Sequence, residues 1–230
     1  MCRAPWDENE CFLLLICGFQ TSGDPVAPAP KPLHWLLLAA CLAVLIWSGI
    51  APYDRATWWM EVAPALIALP VLMLTYRRFP LTDLLYTLIA LHAIVLMVGG
   101  AYTYARVPFG FDLQGWLHLQ RNPYDRIGHF MQGFVPALVA REILLRGSHV
   151  TGRRMLGFLC VCVVMAISAW YELIEWGAAV ALGQGADEFL GTQGDSWDTQ
   201  SDMLMALIGG TAAILLLARW QDRQIAKLPH

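Results

Sequence analysis

The sequence is short of charge: Asp, Glu, Lys and Arg make up 14% of its 230 residues, against roughly 25% in an ordinary soluble domain. Hydrophobic residues make up 57%, so the chain has little to offer water and belongs in a membrane. It has no block of Lys and Arg, and its formal net charge is -3. Both facts argue against a nucleic-acid binder, which needs clustered cations to displace counterions. The six cysteines, Cys2, Cys11, Cys17, Cys41, Cys160 and Cys162, show neither zinc-ligand spacing nor a small secreted disulfide framework, and they read as small core residues. No internal repeat is visible, which leaves no basis for an inverted-repeat transporter. An arginine-rich phosphate clamp and a nucleophilic serine motif are missing as well.

What is present is a series of long uncharged runs of Leu, Ala, Val and Ile. Six segments, near 34–50, 59–76, 81–104, 128–147, 154–183 and 201–219, are long enough for the roughly 30 Å hydrocarbon layer, which takes about 20 residues of helix. Backbone groups in lipid must bond within their own segment, so the expected fold is an all-α polytopic membrane helix bundle of about six transmembrane helices. Trp35, Trp47, Trp58, Trp59, Trp170, Trp176 and Trp220 fall at or near segment ends, where an amphipathic ring prefers the headgroup level. The loop 105–127 mixes Phe109, Phe111, Leu113, Trp116, Leu117 and Leu119 with polar residues, as expected of a segment lying in the interface or dipping back into the bundle.

The first 33 residues carry an apolar run of nine, too short to span, between acidic residues and four prolines (Pro25, Pro28, Pro30, Pro32). They read as a disordered N-terminal extension or the product of a start codon placed too far upstream, followed by one transmembrane domain over 34–220 and a short tail over 221–230. Eleven of the 15 basic residues fall on one side of the expected spans: Arg3, Lys31, Arg77, Arg78, Arg141, Arg146, Arg153, Arg154, Arg219, Arg223 and Lys227. Arg55, Arg106, Arg121 and Arg126 fall on the other. Short cytoplasmic loops hold the excess of Lys and Arg, so both termini are expected in the cytoplasm and the loops 51–58, 105–127 and 184–200 outside.

Ionisable residues inside or beside a span demand a partner or a function, because charge in hydrocarbon is costly. Asp125 and His129 are four residues apart, Glu172 and Glu175 three, and Asp198 and Asp202 four, spacings that put each pair on one helix face. Counted at 1.5 Å per residue from Arg154, Glu172 and Glu175 lie roughly 27 and 31 Å up, at the outer boundary of the bilayer. His129 and Asp202 open inward-running helices at that same boundary. One imidazole and up to five carboxylates in one layer suit a divalent metal cation, with Asp125, His129, Glu172, Glu175, Asp198 and Asp202 as the candidate metal ligands. His129, Glu172 and Glu175 are equally the candidate catalytic acids and bases. Taken singly, each residue has a simpler explanation: Asp125 and Asp202 as helix N-caps, Glu172 paired with Arg126 or Arg106, His129 as a hydrogen-bonded interface residue. Glu61 is a lesser candidate, His92 a mid-membrane hydrogen-bonder, and Gly99-Gly100 and Gly209-Gly210 sites of close helix packing.

Tyr124-Asp125-Arg126-Ile127-Gly128-His129-Phe130, Tyr171-Glu172-Leu173-Ile174-Glu175-Trp176 and Gly194-Asp195-Ser196-Trp197-Asp198-Thr199-Gln200-Ser201-Asp202 followed by Gly209 resemble the YjdF family of bacterial inner-membrane proteins over residues 35–225. More distantly, residues 125–210 resemble VanZ-like proteins, with Ala206 standing where that pattern has Asn. The resemblance implies a bacterial inner-membrane location. Two functions then compete: a metal-assisted or acid/base enzyme acting on a lipid or lipid-linked envelope molecule, and a transporter or ion-handling protein, with a non-catalytic membrane binding protein as a third possibility. The spans are nearly all apolar below His92, which tells mildly against a transport path.

Overall fold

Apolar runs of this length can satisfy their own backbone in lipid only as helices, and they do so here. The computed structural model describes residues 29–183 and 193–228; the N-terminal extension over 1–28 and the part of the acidic loop over 184–192 lie outside the described residues. Six long helices carry the fold, α1 (Pro32–Ile50), α2 (Arg55–Thr75), α3 (Asp83–Tyr102), α5 (Tyr124–Arg146), α6 (Arg153–Leu182) and α7 (Asp198–Ile225), with a short α4 (Pro108–Leu117) before α5. All six expected segments are helical.

Five of the long helices are apolar enough to cross a membrane, with mean hydropathy from 1.6 to 2.1. The exception is α5, whose 23 residues include Asp125, Arg126, His129, Arg141, Glu142 and Arg146. It is sheathed instead of bare: α3, α6 and α7 all pack on it, while α1 and α2 pack on α3. A polar helix in hydrocarbon has to be central, because only protein neighbours can partner its side chains.

Alternating helix directions sort the helix ends into two groups. Lys31 to Asp83 at 2.6 Å and Arg146 to the Pro80 carbonyl at 2.6 Å tie the basic end. At the opposite, acidic end the Tyr53 amide donates to the Ala101 carbonyl at 2.9 Å, and Arg121 pairs with Asp198. There α4 exposes Phe109, Phe111, Trp116 and Leu117; ten residues reach only about 15 Å, so α4 can lie on a membrane but not cross it. Asn122 fixes its return, donating to the Val107 carbonyl and accepting from the Tyr124 amide, both at 3.0 Å.

The parallel pair α5 and α7 meets backbone to backbone. A side chain at Gly133 would collide with the Ala206 carbonyl, and one at Gly209 with the Phe130 carbonyl, so small residues set this approach. One turn above that crossing stand His129 and Asp202. Thr103 and Tyr104, both left-handed at φ +52° and +51°, fold the Tyr104 ring back against Gly99 and Gly128, beside the same residues.

Several expectations change. Trp58 is buried and donates to Ser48 Oγ at 3.1 Å, so it is a packing residue, whereas the other six tryptophans of that set are exposed. Cys160 is buried, but Cys162 faces outward, because alternate residues of a helix cannot share a face. The last helix continues to Ile225 with Gln221 fully buried, so the bundle extends past residue 220. Helices α5 and α7 begin at Tyr124 and Asp198, after Pro123 and Trp197. Asp125 and Asp202 are therefore inside the helices and cap neither.

Candidate functional site

The early start of α5 puts Asp125 and His129 one turn apart on one face, and the crossing with α7 brings Asp202 to them. His129 Nε2 lies 3.5 Å from Asp125 Oδ1 and 4.0 Å from Asp202 Oδ2. Each of these three residues offers a ligand atom within 4.8 Å of the others'. Two ligands of one ion at 2.0–2.5 Å sit at most about 4–5 Å apart, so the three can share one cation. On the other side of the ring, His129 Nδ1 lies 3.0 Å from Gln132 Oε1 and 3.8 Å from Glu172 Oε1. Donation from Nδ1–H to Gln132 leaves the Nε2 lone pair facing the two aspartates, the usual way a neighbour selects the tautomer of a ligating histidine.

All five groups are buried, Asp202 to 2% exposure. Glu172 Oε1 and Asp202 Oδ1 have no hydrogen-bond partner among the described residues, although buried carboxylate oxygens are normally bonded. The remaining expected ligands stand apart from this point. Asp198 is taken by Arg121, which also reaches Asp195 at 3.3 Å. Arg126 pairs with Asp195 at 3.5 Å, and Arg106 stacks on Tyr53, so neither takes up Glu172. Glu175 is half-buried and lines a cavity of about 570 Å³ with His129, Tyr171 and Glu61.

Glu61 is closer to the centre than its sequence position indicated. It is buried on α2 and accepts from the Tyr171 hydroxyl at 2.6 Å, a bond that ties α2 to α6 across the acidic end of the cavity. Tyr171, Tyr104 and Gln132 are site residues that sequence reasoning missed: Tyr171 was legible only as the neighbour of Glu172, and Tyr104 and Gln132 carried no signal. His92 also lines the cavity, but among the described residues its Nε2 has no hydrogen-bond partner, so the expected interhelical bond is not made there.

Such a group of side chains can hold a cation between two aspartates and an imidazole, with Glu172 and Glu175 nearby to accept or deliver protons. Comparison with known proteins gives the context. Residues 33–223 match a family model described as a predicted membrane protein, DUF2238. The inner membrane protein YjdF of Escherichia coli (strain K12) is 63% identical over 184 residues, which cover 80% of this chain and 88% of that relative. No solved structure matches the chain.

Proposed function

The chain belongs to the DUF2238 family of membrane proteins and resides in the bacterial inner membrane; from that premise we propose that it binds a divalent metal cation at the outer-leaflet end of the bundle through Asp125, His129 Nε2 and Asp202, and uses it on a lipid or lipid-linked envelope molecule. One observation carries the reading. Three buried carboxylates, Asp125, Glu172 and Asp202, gather within 4.0 Å of one imidazole, and two of them keep an oxygen unbonded among the described residues. A protonated imidazole balances only one of those charges. A divalent ion with neutral His129 balances both aspartates and supplies a partner for Asp202 Oδ1, in a setting where an unpaired buried charge is costly.

In that role the ion polarises an oxygen of the substrate or activates a water. Glu172, beside His129 Nδ1, and Glu175, on the cavity wall, are the proton-transfer groups within reach. The rival reading, transport, would need polar groups continuing through the bundle. Instead the cavity below His92 is walled by Leu72, Leu81, Val135, Val139 and Val163, which favours the enzyme.

The test is the thermal stability and Mn²⁺ binding of the purified full-length protein in nanodiscs. Wild type should bind one Mn²⁺ and be stabilised by it, by about 2.7 kcal/mol at a hundredfold excess over Kd. Asp202→Asn and His129→Ala should lose that gain. If wild type and Asp202→Asn are equally stable with and without metal, the proposal fails.

A further inference from the structure

The cavity is not confined to the site. It continues from Glu61, His129 and Glu175 towards the basic end past Pro64, Ala68, Leu72, Val139, Ile143 and Leu144. From His129 to Leu144 is about 22 Å of helix, more than the roughly 15 Å depth of one leaflet. Its floor is α5 with the Ile89, His92, Ala93 and Leu96 face of α3, and its walls are α2 and α6. Those walls pack on different helices, α2 on α3 and α6 on α5 and α7, so a gap is left between them. Val71, Ile143, Val163 and Ile167 line the cavity and yet are 38 to 51% exposed, so it is a groove open sideways to the lipid. Pro64 and Pro136 stand on its wall and floor, where each lacks the N–H that would bond the preceding helical turn.

Resting on the site proposed above, we infer that this groove takes one hydrocarbon chain of an outer-leaflet phospholipid, which enters between α2 and α6 and lays its polar head at His129. The lining says what kind of molecule fits. It is apolar over most of its length and polar at one end, the end that lies at headgroup depth, so its occupant is an amphiphile with the same polarity. About 570 Å³ falls within the roughly 300–1,000 Å³ of ligand pockets. A spanning helix about 10 Å wide is a poor occupant, because the Tyr171–Glu61 bond at 2.6 Å joins the two walls across the outer end. That bond also places a polar tie where the head must pass, which suits a lateral entry of the chain below it.

The experiment uses the full-length protein in nanodiscs that contain a phosphatidylglycerol with a diazirine on one acyl chain. Label should concentrate severalfold on the peptides carrying Val71, Ile143, Val163 and Ile167 relative to the outward-facing Leu215. Ala68→Trp fills the groove and should cut that labelling at least fivefold, whereas Leu74→Trp, on the outer face of the same helix, should not. Ala140→Phe fills it from the floor if Ala68→Trp does not fold. Even labelling of groove and outer face, or labelling that survives both filling variants, would overturn the proposal. So would a photoreactive benzoylphenylalanine at Val163 that couples to a second polypeptide instead of to lipid. Mn²⁺ binding separates this inference from the one beneath it. Groove labelling without Mn²⁺ binding overturns the metal reading alone, and Mn²⁺ binding with no groove labelling overturns the lipid reading alone.

Discussion

The two ends of α5 carry similar side chains in different states of completion. At the basic end Glu142, fully buried, accepts from the Thr82 amide at 3.1 Å, the Thr82 hydroxyl at 2.9 Å, Arg146 at 3.0 Å and Gln221 at 3.3 Å. Arg141 donates to Gln221 at 2.9 Å and Asp222 at 2.5 Å. Two guanidinium groups face two carboxylates, and none of these side-chain atoms is left without a partner among the described residues. At the acidic end three carboxylates share one histidine, and two oxygens are unbonded. The basic-end network matches cation to carboxylate and holds helices together, whereas the acidic-end cluster carries an excess of carboxylate that an added cation would balance. Burial of charge alone therefore does not mark a candidate site; an imbalance between buried charges does.

The comparison breaks most visibly at its finished end. Glu142→Ala would remove the acceptor of four hydrogen bonds and leave Arg146 and the Thr82 amide uncompensated, a loss of about 3–5 kcal/mol. Thermal unfolding of the purified protein should show a large drop of the same size with and without Mn²⁺. A drop that metal restores would mean that the basic end also reports on the ion and that the two ends are not distinct.

A middle-sized effect tests the link between them. Gly133→Ala places a methyl group against the Ala206 carbonyl, and overpacking of this kind costs about 1–3 kcal/mol. Because Asp202 sits one turn above Ala206, displacing α7 should also weaken Mn²⁺ binding. Gly157→Ala, inside α6 and with an added methyl that meets nothing within 4 Å, should raise stability by up to about 1 kcal/mol and leave Mn²⁺ binding as it is.

The paired glutamines sharpen the contrast further. Gln132→Leu removes the acceptor of His129 Nδ1 and should cost about 10–100-fold in Mn²⁺ affinity, with little change in metal-free stability. Gln221→Leu should do the reverse, lowering stability by about 1–3 kcal/mol through an unsatisfied Arg141 with Mn²⁺ affinity intact. Titrations of the two variants side by side decide whether the ends have separate duties.

The sequence disclosed the acidic end better than the basic one. Run length and 1.5 Å per residue were enough to place six helices and to put His129, Glu172 and Asp202 at one depth, because both follow from helix geometry alone. Arg141 and Arg146 look like ordinary loop-flanking charges and serve as such in the topology count; the burial of Arg141 depends on α7 running on to Ile225, beyond its apolar stretch, where Gln221 and Asp222 meet it, and Arg146 turns to the Pro80 carbonyl and the Phe79 ring. The loss of Asp198 to Arg121 and the approach of Glu61 to Tyr171 depend on which helices are neighbours, and spacing along one helix carries no information about that. Hence the layer was legible, but the three residues that converge within it were not separable from the other three.

The smallest effect comes from a carboxylate that has only a capping duty. Asp54 precedes α2 and accepts from the Thr57 amide at 2.7 Å and the Thr57 hydroxyl at 2.8 Å. The amide first, and then the hydroxyl, hold its carboxyl below the ordinary value. A group with a lowered folded-state pKa adds stability above its unfolded pKa and loses it as pH falls through the folded one. The contribution of Asp54 should therefore be constant from neutral pH to about pH 4, the ordinary Asp range, and fade below it. Asp54→Ala should cost about 1 kcal/mol, and Asp54→Asn next to nothing, since Asn caps as well as Asp. Mn²⁺ should alter neither result. Asp202 under the same two substitutions provides the opposite pattern if the site binds metal: Asn and Ala equally remove the metal-dependent stability, because an amide keeps the shape of the carboxylate and discards its charge. Unfolding midpoints for the four variants, measured with and without Mn²⁺, separate a cap from a ligand, and an Asp202→Asn variant that behaved like Asp54→Asn would erase the distinction between the two kinds of acid.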